Sequence, residues 1–476
     1  MSTVDSLVIQ AVSDSVDLLR LHELNPSRYP YLLQSVAQSV GQTHYDILFA
    51  WPQQSLVLRS DGALEIQDAS GTTVSDSAVD GLDNPNGKND FLAAFQRMWQ
   101  LEKKPAQGNT ELPFRGGWFL FLGYELAQQI EPGLQLPKAS DNSMPVAYAT
   151  RIPAAVIVNR RSGQCCIVAE HAYHDSLQAI VNDIDKLGAM PAIAADNDEF
   201  ESTINPSVCE EDPQRYLESV EQIKRYIKDG DVFQVNLSRL WTAMLDASVS
   251  NSHLYRRLTQ TNPAPYFALA VFGEHAIISS SPERLVKVSG DRVDTRPIAG
   301  TRPRGDSPEN DEAHLRELIA HPKERAEHIM LIDLERNDLG RVCMPGSVKV
   351  NELMVLESYA HVHHIVSNVQ GQLRQTCTPS DVIRAVFPGG TITGCPKVRC
   401  MEIIAELERA PRGAYTGSLG YVNHDGSLDL NILIRTLLKS GQVLSFRAGA
   451  GIVADSDPQQ ELQETRAKAK GLLLAL

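Results

Sequence analysis

Four glutamates stand in two pairs of equal spacing. Glu324 and Glu327 are three apart in HPKERAEHIMLIDLERNDLG, and Glu461 and Glu464 repeat the interval in DPQQELQETRAKAKGLLLAL. On a helix that spacing brings both side chains to one face. Four carboxylates from two helices suit a hard, oxygen-preferring cation such as Mg2+, held directly or through waters. A solvated acidic face has the same spacing, and Glu464 with Lys468 is an ordinary i,i+4 ion pair. Lys468 falls within about 60° of both glutamates on a helical wheel, while Leu462, Ala469 and Leu473 mark a separate apolar stripe.

Two further charges sit where charge is costly. Glu283, in SSSPERLV, follows three serines at the end of an apolar strand. A carboxyl there, beside a pocket, has its pKa raised by desolvation and can serve as a general acid; in a surface turn it is one half of an ion pair with Arg284. Arg435 lies within LNILIRTLL, which reads as an apolar strand, and a cation there requires an anionic ligand or a buried acid to answer it.

The stretch FPGGTITGCPKVRCMEIIAELE, 387–408, is a glycine loop feeding an amphipathic helix. Gly389 and Gly390 read as a flexible loop, Thr391 and Thr393 supply hydroxyls, and Pro396 stands where the first helical turn begins. Free N–H groups at such a junction suit an anion, and Lys397 adds a full positive charge beside them. Cys395 and Pro396 separate Gly394 from Lys397, which excludes the phosphate-loop order. A carboxylate fits better than a nucleotide phosphate.

In AHVHHIVSNV, strand alternation sends His361 and His363 to one face and His364 to the other, so no zinc trio converges. A single histidine hydrogen-bonded to a carboxylate or carbonyl is the expected use. FRAGAGIVADSDP contains a formal GxGxxA at Gly449, Gly451 and Ala454, without the βαβ unit of a dinucleotide site. Close backbone approach to a ligand is the better use of Gly449 and Gly451.

The elements that must position these residues are strands with helices between them and no regular βαβ alternation, so α+β is predicted. YDILFAWP, FRGGWFLFLGYELA, PAAVIVN and CCIVAE read as strands, the last two as a hairpin around Arg160 to Gly163, and FLAAFQRMW as a helix. The acidic, proline-punctuated stretch at 190–213 reads as a surface linker dividing 1–200 from 205–476. Beyond it Asp212 caps and Pro213 opens a helix with Tyr216, Val220, Ile223 and Ile227 as its buried stripe.

Composition narrows the class. The 476 residues are 42% hydrophobic, ample for a sizeable core, and the formal net charge of -15 argues against nucleic acid or an anionic membrane as partner. Seven scattered cysteines without a CxxC pair fit a reducing cytosol. The acidic N-terminus is not a signal peptide, and no run of roughly 18 apolar residues is present. A cytoplasmic enzyme is expected.

Across 205–476, SPERL, RPIAGTRPRG, KERAEHIMLIDLERNDLGR, HHIVS, PGGTITGCPKVRCMEII, GSLGY, IRT and AGAGIVADSDP resemble, in order, the chorismate-utilising enzymes. YPYLLQSV and GGWFLFLGYEL carry a weaker likeness to the amidotransferase-linked members. The resemblance implies two antiparallel sheets forming a large sandwich with outer helices, the N-terminal region packed into the same body. It also implies Mg2+ on Glu324, Glu327, Glu461 and Glu464, and Glu283 as the acid protonating the departing C4 hydroxyl. His364 and Lys468 would join Glu283 in catalysis. Thr391, Tyr415, Arg435, Gly449, Gly451, Lys397, Ala299 and Thr301 would line the pocket for chorismate.

FPGGTITGCPK looks more like the members that aminate chorismate at C4, using ammonia from a glutamine amidotransferase partner. Ala299 dissents. Many of those enzymes carry Lys there (PIKGT) as a nucleophile toward C2, and alanine is typical of members that aminate C2 and release pyruvate to give anthranilate. C4 amination is the expectation, C2 amination the nearest alternative. A non-catalytic chorismate- or tryptophan-binding regulatory subunit is a third reading.

Overall fold

A computed structural model describes residues 7–12, 16–36, 44–74, 89–105, 111–139, 144–190, 204, 206–304, 307–320, 322–358 and 362–476. The expected linker falls largely outside these residues, as does His361. The side chains of Thr301 and Glu324 are also outside them.

Long alternating strands need a partner on each edge and a cover for the apolar face, and two sheets meet that need together. Among the described residues the first has twelve strands and the second eleven. Strand pairings among the described residues are antiparallel, which agrees with the α+β sandwich expected. The N-terminal region contributes to both sheets. Tyr31–Gln34 pairs with Tyr266–Phe272 in the first, and Gly117–Leu122 pairs with Ser418–Asn423 in the second. The hairpin Ala154–Asn159 with Cys165–Glu170 lies in the first sheet.

Helices start where their caps place them. Asp212 accepts from the Gln214 N–H ahead of Pro213–Lys228, which buries Tyr216, Val220 and Ile223. Asp457 accepts from Gln460 N–H ahead of Pro458–Leu473, which lays Leu462, Ala469 and Leu472 inward. The helix Pro322–Gly340 buries His328, Leu331, Ile332, Glu335, Asp338 and Leu339 at helical spacing, so two acids share its core face.

Two local expectations change. LNILIRTLL is no single strand: it divides into Leu428–Asn431 of the second sheet and Thr436–Ser440 of the first, and Ile432 to Arg435 cross between them. Arg435 therefore sits at a crossing, with φ 52°, rather than inside a strand. The Gly389–Gly390 turn is buried rather than a loose loop. A Cβ at Gly390 would lie 2.4 Å from Leu334 Cδ2, and one at Gly389 would lie 2.9 Å from Ile432 Cδ1. Close packing requires these glycines.

Candidate active site

The chain crosses between the sheets twice at one place. Pro282 and Glu283 link His275–Ser281 of the first sheet to Arg284–Ser289 of the second, beside the crossing at Ile432 to Arg435. The strands on either side are paired, so the crossings run antiparallel and in contact. Ile432 N–H donates to Glu283 O at 3.0 Å, Ser280 N–H donates to Arg435 O at 3.0 Å, and Ser281 Oγ donates to Ile432 O. A strand that leaves one sheet frees a side chain into the space between the two. Here the freed side chains are an acid and a guanidinium.

Glu283 is 5% exposed, and burial pushes its carboxyl up to about 7. The Thr391 hydroxyl, Ile298 N–H, Arg435 and Lys468 act the other way without outweighing desolvation. Neither Glu283 Oε1 nor Thr391 Oγ1 completes a hydrogen bond of good geometry among the described residues. Arg435 likewise makes no hydrogen bond through its guanidinium there, and burial lowers its pKa, with Glu283 as the opposing charge. His364 is 2% exposed, and burial with repulsion from Arg435 brings its pKa down to about 3, so the imidazole is neutral. His363, on the opposite face, binds Ser358 Oγ and Asp311 Oδ1 instead. Ala299 pairs with Ile365 and Thr301 with His364, across an irregularity at Gly300 with φ 65°.

A second wall comes from Val443–Ile452. A Cβ at Gly449 would sit 2.7 Å from both Leu237 O and Tyr415 Oη, and one at Gly451 would sit 2.2 Å from Gln234 Nε2. The two glycines thus make room for neighbouring protein groups. Lys468 Nζ donates to Gly449 O at 3.0 Å and pairs with Glu464 at 2.7 Å. Glu461 is buried to 8% on the same helix. Glu327 is half-buried on the helix Pro322–Gly340. Among the described residues no three His, Cys, Asp or Glu side chains come together as a metal-holding group. The expected carboxylate cluster is therefore not assembled among these residues; Mg2+ commonly takes one or two carboxylates and keeps its waters, and Glu461 with Glu464, on one helix, are oxygen donors of the kind it takes.

Lys397 is engaged elsewhere. It donates to Asp338 Oδ2 at 2.6 Å and to Val386 O at 3.3 Å, so its charge is already answered by a carboxylate of the neighbouring helix.

Sequence reasoning missed Gln234, Asn236 and Glu335. Gln234 and Asn236 alternate on the strand Gln234–Met244 against Gly451 and Gly449, and Gln234 Oε1 and Asn236 Oδ1 are buried without a partner among the described residues. Two amides two residues apart in an apolar strand were the available signal. Glu335 carried none, because helix phase alone does not say which acid turns inward.

A sandwich of two antiparallel sheets encloses the Glu283 carboxyl, its pKa raised by burial, beside the Arg435 guanidinium, with Lys468 at the more open edge bound to Gly449 O. The chain belongs to the chorismate binding enzyme family, whose profile matches residues 53–474. It is 46% identical over 373 residues to an anthranilate synthase component I-like protein of Synechocystis sp., covering 77% of this chain and 73% of that one. It is 43% identical over 392 residues to aminodeoxychorismate synthase component 1 of Bacillus subtilis, covering 81% and 82%. The structure of anthranilate synthase component I from Streptococcus pneumoniae superposes with a TM-score of 0.75 at 30% identity, covering 92% and 93%.

Proposed function

We propose that this chain aminates chorismate at C4 with ammonia, giving 4-amino-4-deoxychorismate, the precursor of 4-aminobenzoate for folate synthesis. The observation that carries the reading is Glu283: a buried carboxyl whose pKa burial raises to about 7, beside an Arg435 guanidinium that makes no hydrogen bond among the described residues. In the reaction the C4–O bond breaks as Glu283 gives its proton to the departing hydroxyl, which leaves as water. Ammonia forms the new C–N bond and gives up one proton, so the carboxyl must regain one before the next turnover.

Arg435 and Tyr415 would take the enolpyruvyl carboxylate, with Thr391 and the Gly449–Gly451 backbone closing the pocket. Neutral His364 would donate or accept a hydrogen bond without competing as a cation. Lys468 would face the ring carboxylate. Glu324, Glu327, Glu461 and Glu464 would hold Mg2+, which when bound supplies positive charge against that carboxylate. Thr301 and Ala299 would edge the pocket, and Lys397, bound to Asp338, would act through its helix rather than by direct contact.

Ala299 favours the second reading, amination at C2 with loss of pyruvate to give anthranilate. With no amine at 299, C4 amination runs by direct attack of ammonia or with another nucleophile at C2. Relatives bearing both names match the chain. A glutamine amidotransferase partner would supply the ammonia, in the cytoplasm. The test is incubation of pure protein with chorismate, Mg2+ and ammonium salt. A product yielding 4-aminobenzoate only after a lyase is added supports C4; anthranilate fluorescence without a lyase overturns it in favour of C2. No turnover, with intact chorismate binding, leaves the non-catalytic regulatory subunit.

A further inference from the structure

A cavity that Glu283 does not line opens between the two sheets. Its volume is about 940 Å3, within the range of small-molecule sites. Leu240, Leu438 and Arg447 of the first sheet line it together with Phe121 of the second, and the turn 411–415 closes one side. Register puts the first-sheet residues on one face, with Leu438 opposite Ser445 and Leu240 opposite Arg447. Leu136 and Met144 complete an apolar wall, while exposed Lys138 and Asp61 border solvent. Among the described residues assigned above to the chorismate pocket, Tyr415 alone borders this cavity.

The polar end of the cavity is Arg447. That side chain is 4% exposed, and its Nη1 donates to Ser238 Oγ at 2.9 Å and to Glu408 Oε2 at 3.3 Å. Its Nε and Nη2 make no hydrogen bond among the described residues. The neighbouring Arg412 differs. It places donors on both oxygens of Glu408, on Ile392 O, on Asn236 O and on Thr416 Oγ1. One carboxylate thus serves two guanidinium groups, and Arg412 holds the larger share of it. The other buried acid on this wall, Glu125, accepts from the backbone N–H groups of Arg412 at 2.7 Å and Gly413 at 3.1 Å. Arg447 is left with a buried positive edge on an apolar space, which is costly unless an anion meets it.

Nε and Nη2 form the side of a guanidinium that grips both oxygens of a carboxylate at once. A single cation answers a single negative charge, and the apolar wall suits a hydrocarbon body behind it, with Phe121 as an aromatic neighbour. We propose that this cavity binds an aromatic monocarboxylate, its carboxylate on Nε and Nη2 of Arg447 and its ring among Phe121, Leu136, Met144, Leu240 and Leu438. Binding there reaches the candidate active site through Tyr415. The Tyr415 N–H donates to Arg412 O at 3.1 Å, and the Arg412 guanidinium lies 5.4 Å from the centre of the tyrosine ring. Arg412 and Arg447 share Glu408, so an anion on Arg447 acts on the network that holds Tyr415 without taking the place of chorismate. The site goes beyond the amination reading and is the same whether C4 or C2 is the carbon attacked.

The test is calorimetric titration of the full chain with benzoate and with 4-aminobenzoate, alone and at saturating chorismate and Mg2+. Saturable binding that persists when chorismate is present is the expected result, and its absence up to about 10 mM overturns the proposal. Acetate, with the same charge and no ring, should bind at least about tenfold more weakly; equal affinity overturns the proposal as well. Arg447→Lys, which keeps the charge and loses the fork, should weaken benzoate binding about tenfold or more. Leu438→Trp, which fills the cavity from the neighbouring strand and leaves Arg447 in place, should abolish it. Both variants should still bind chorismate, and should Arg447→Lys not fold, Leu438→Trp decides. Unchanged benzoate affinity in the folded variants overturns the proposal. So does binding that chorismate displaces, or that Arg435→Gln removes and Leu438→Trp spares, since that places the acid in the chorismate pocket. If wild type makes no aminated product, these titrations still decide the cavity, and only the functional reading fails.

Discussion

Glu283 and Arg435 occupy adjacent crossings between the two sheets, and the hydrogen bond from Ile432 N–H to Glu283 O, 3.0 Å, ties one crossing to the other. Neither side chain could hold its place alone. A lone buried carboxyl or guanidinium costs several kcal/mol unless it neutralises or finds a partner; here burial drives the acid toward its neutral form, and Glu283 is the charge set against Arg435. The pair is separated in sequence by 151 intervening residues, yet the paired strands on each side leave it no freedom.

Replacing Glu283 with Gln should remove amination by about 10²- to 10⁴-fold, the range for a lost general acid, while chorismate still binds. Calorimetric titration beside the rate assay separates the two. Loss of binding together with rate would place Glu283 in recognition instead.

The same group sets the pH dependence. As the proposed general acid Glu283 would work protonated, so kcat/KM at a fixed concentration of free ammonia should fall as pH rises through about 7. For stability the sign runs the same way, because a carboxyl raised above its ordinary 4.5 contributes fully below that value and loses its contribution as pH rises through 7. Glu283→Gln should therefore be more stable than wild type above neutrality, by at most about 3 kcal/mol. Urea melts at pH 5 and pH 8 measure it; equal midpoints at both would show that the carboxyl is not desolvated.

Arg435→Gln should raise KM for chorismate about 10- to 100-fold, the worth of a charge-assisted contact of roughly 1.5–3 kcal/mol. Removing that cation should also move the alkaline limb set by Glu283 upward, since Arg435 favours the ionised form. A KM effect with an unmoved limb would mean that the two groups do not sense one another in solution.

Gly449→Ala places a methyl 2.7 Å from Leu237 O and Tyr415 Oη. The tyrosine can swing aside, but the backbone oxygen cannot, so a cost of about 1–3 kcal/mol in thermal unfolding is expected, with weaker chorismate binding. Unchanged Tm and binding would show that the strand relaxes.

Chelation should weaken chorismate binding as well as abolish turnover, and added Mg2+ should restore both. Glu461→Gln, at a buried carboxylate, should raise the Mg2+ concentration needed more than Glu464→Gln, whose partner Lys468 is half exposed. Equilibrium binding of chorismate at varied Mg2+ reads this without turnover, and identical curves would remove these two glutamates from the ion.

Much was determined by the chain's own pattern. Strand alternation, the hairpin after Pro153, the Asp212–Pro213 helix start and the α+β class follow from local rules that act over a few residues. The motif order marked the family, and an acid at the end of an apolar strand was enough to single out Glu283. Tertiary structure decided the rest. LNILIRTLL has one uniform apolar pattern, so nothing local says that the chain changes sheets at Ile432. Lys397 and Arg435 are both cations beside apolar runs, but only packing gives the first an aspartate and leaves the second open. Glu335 and Glu327 are equal in sequence, and helix phase against the sheet buries Glu335 while Glu327 stays half-buried. Local sequence specifies which groups exist and at what spacing; which of them lose water is settled by contacts between segments far apart in the chain, and loss of water is what sets their chemistry.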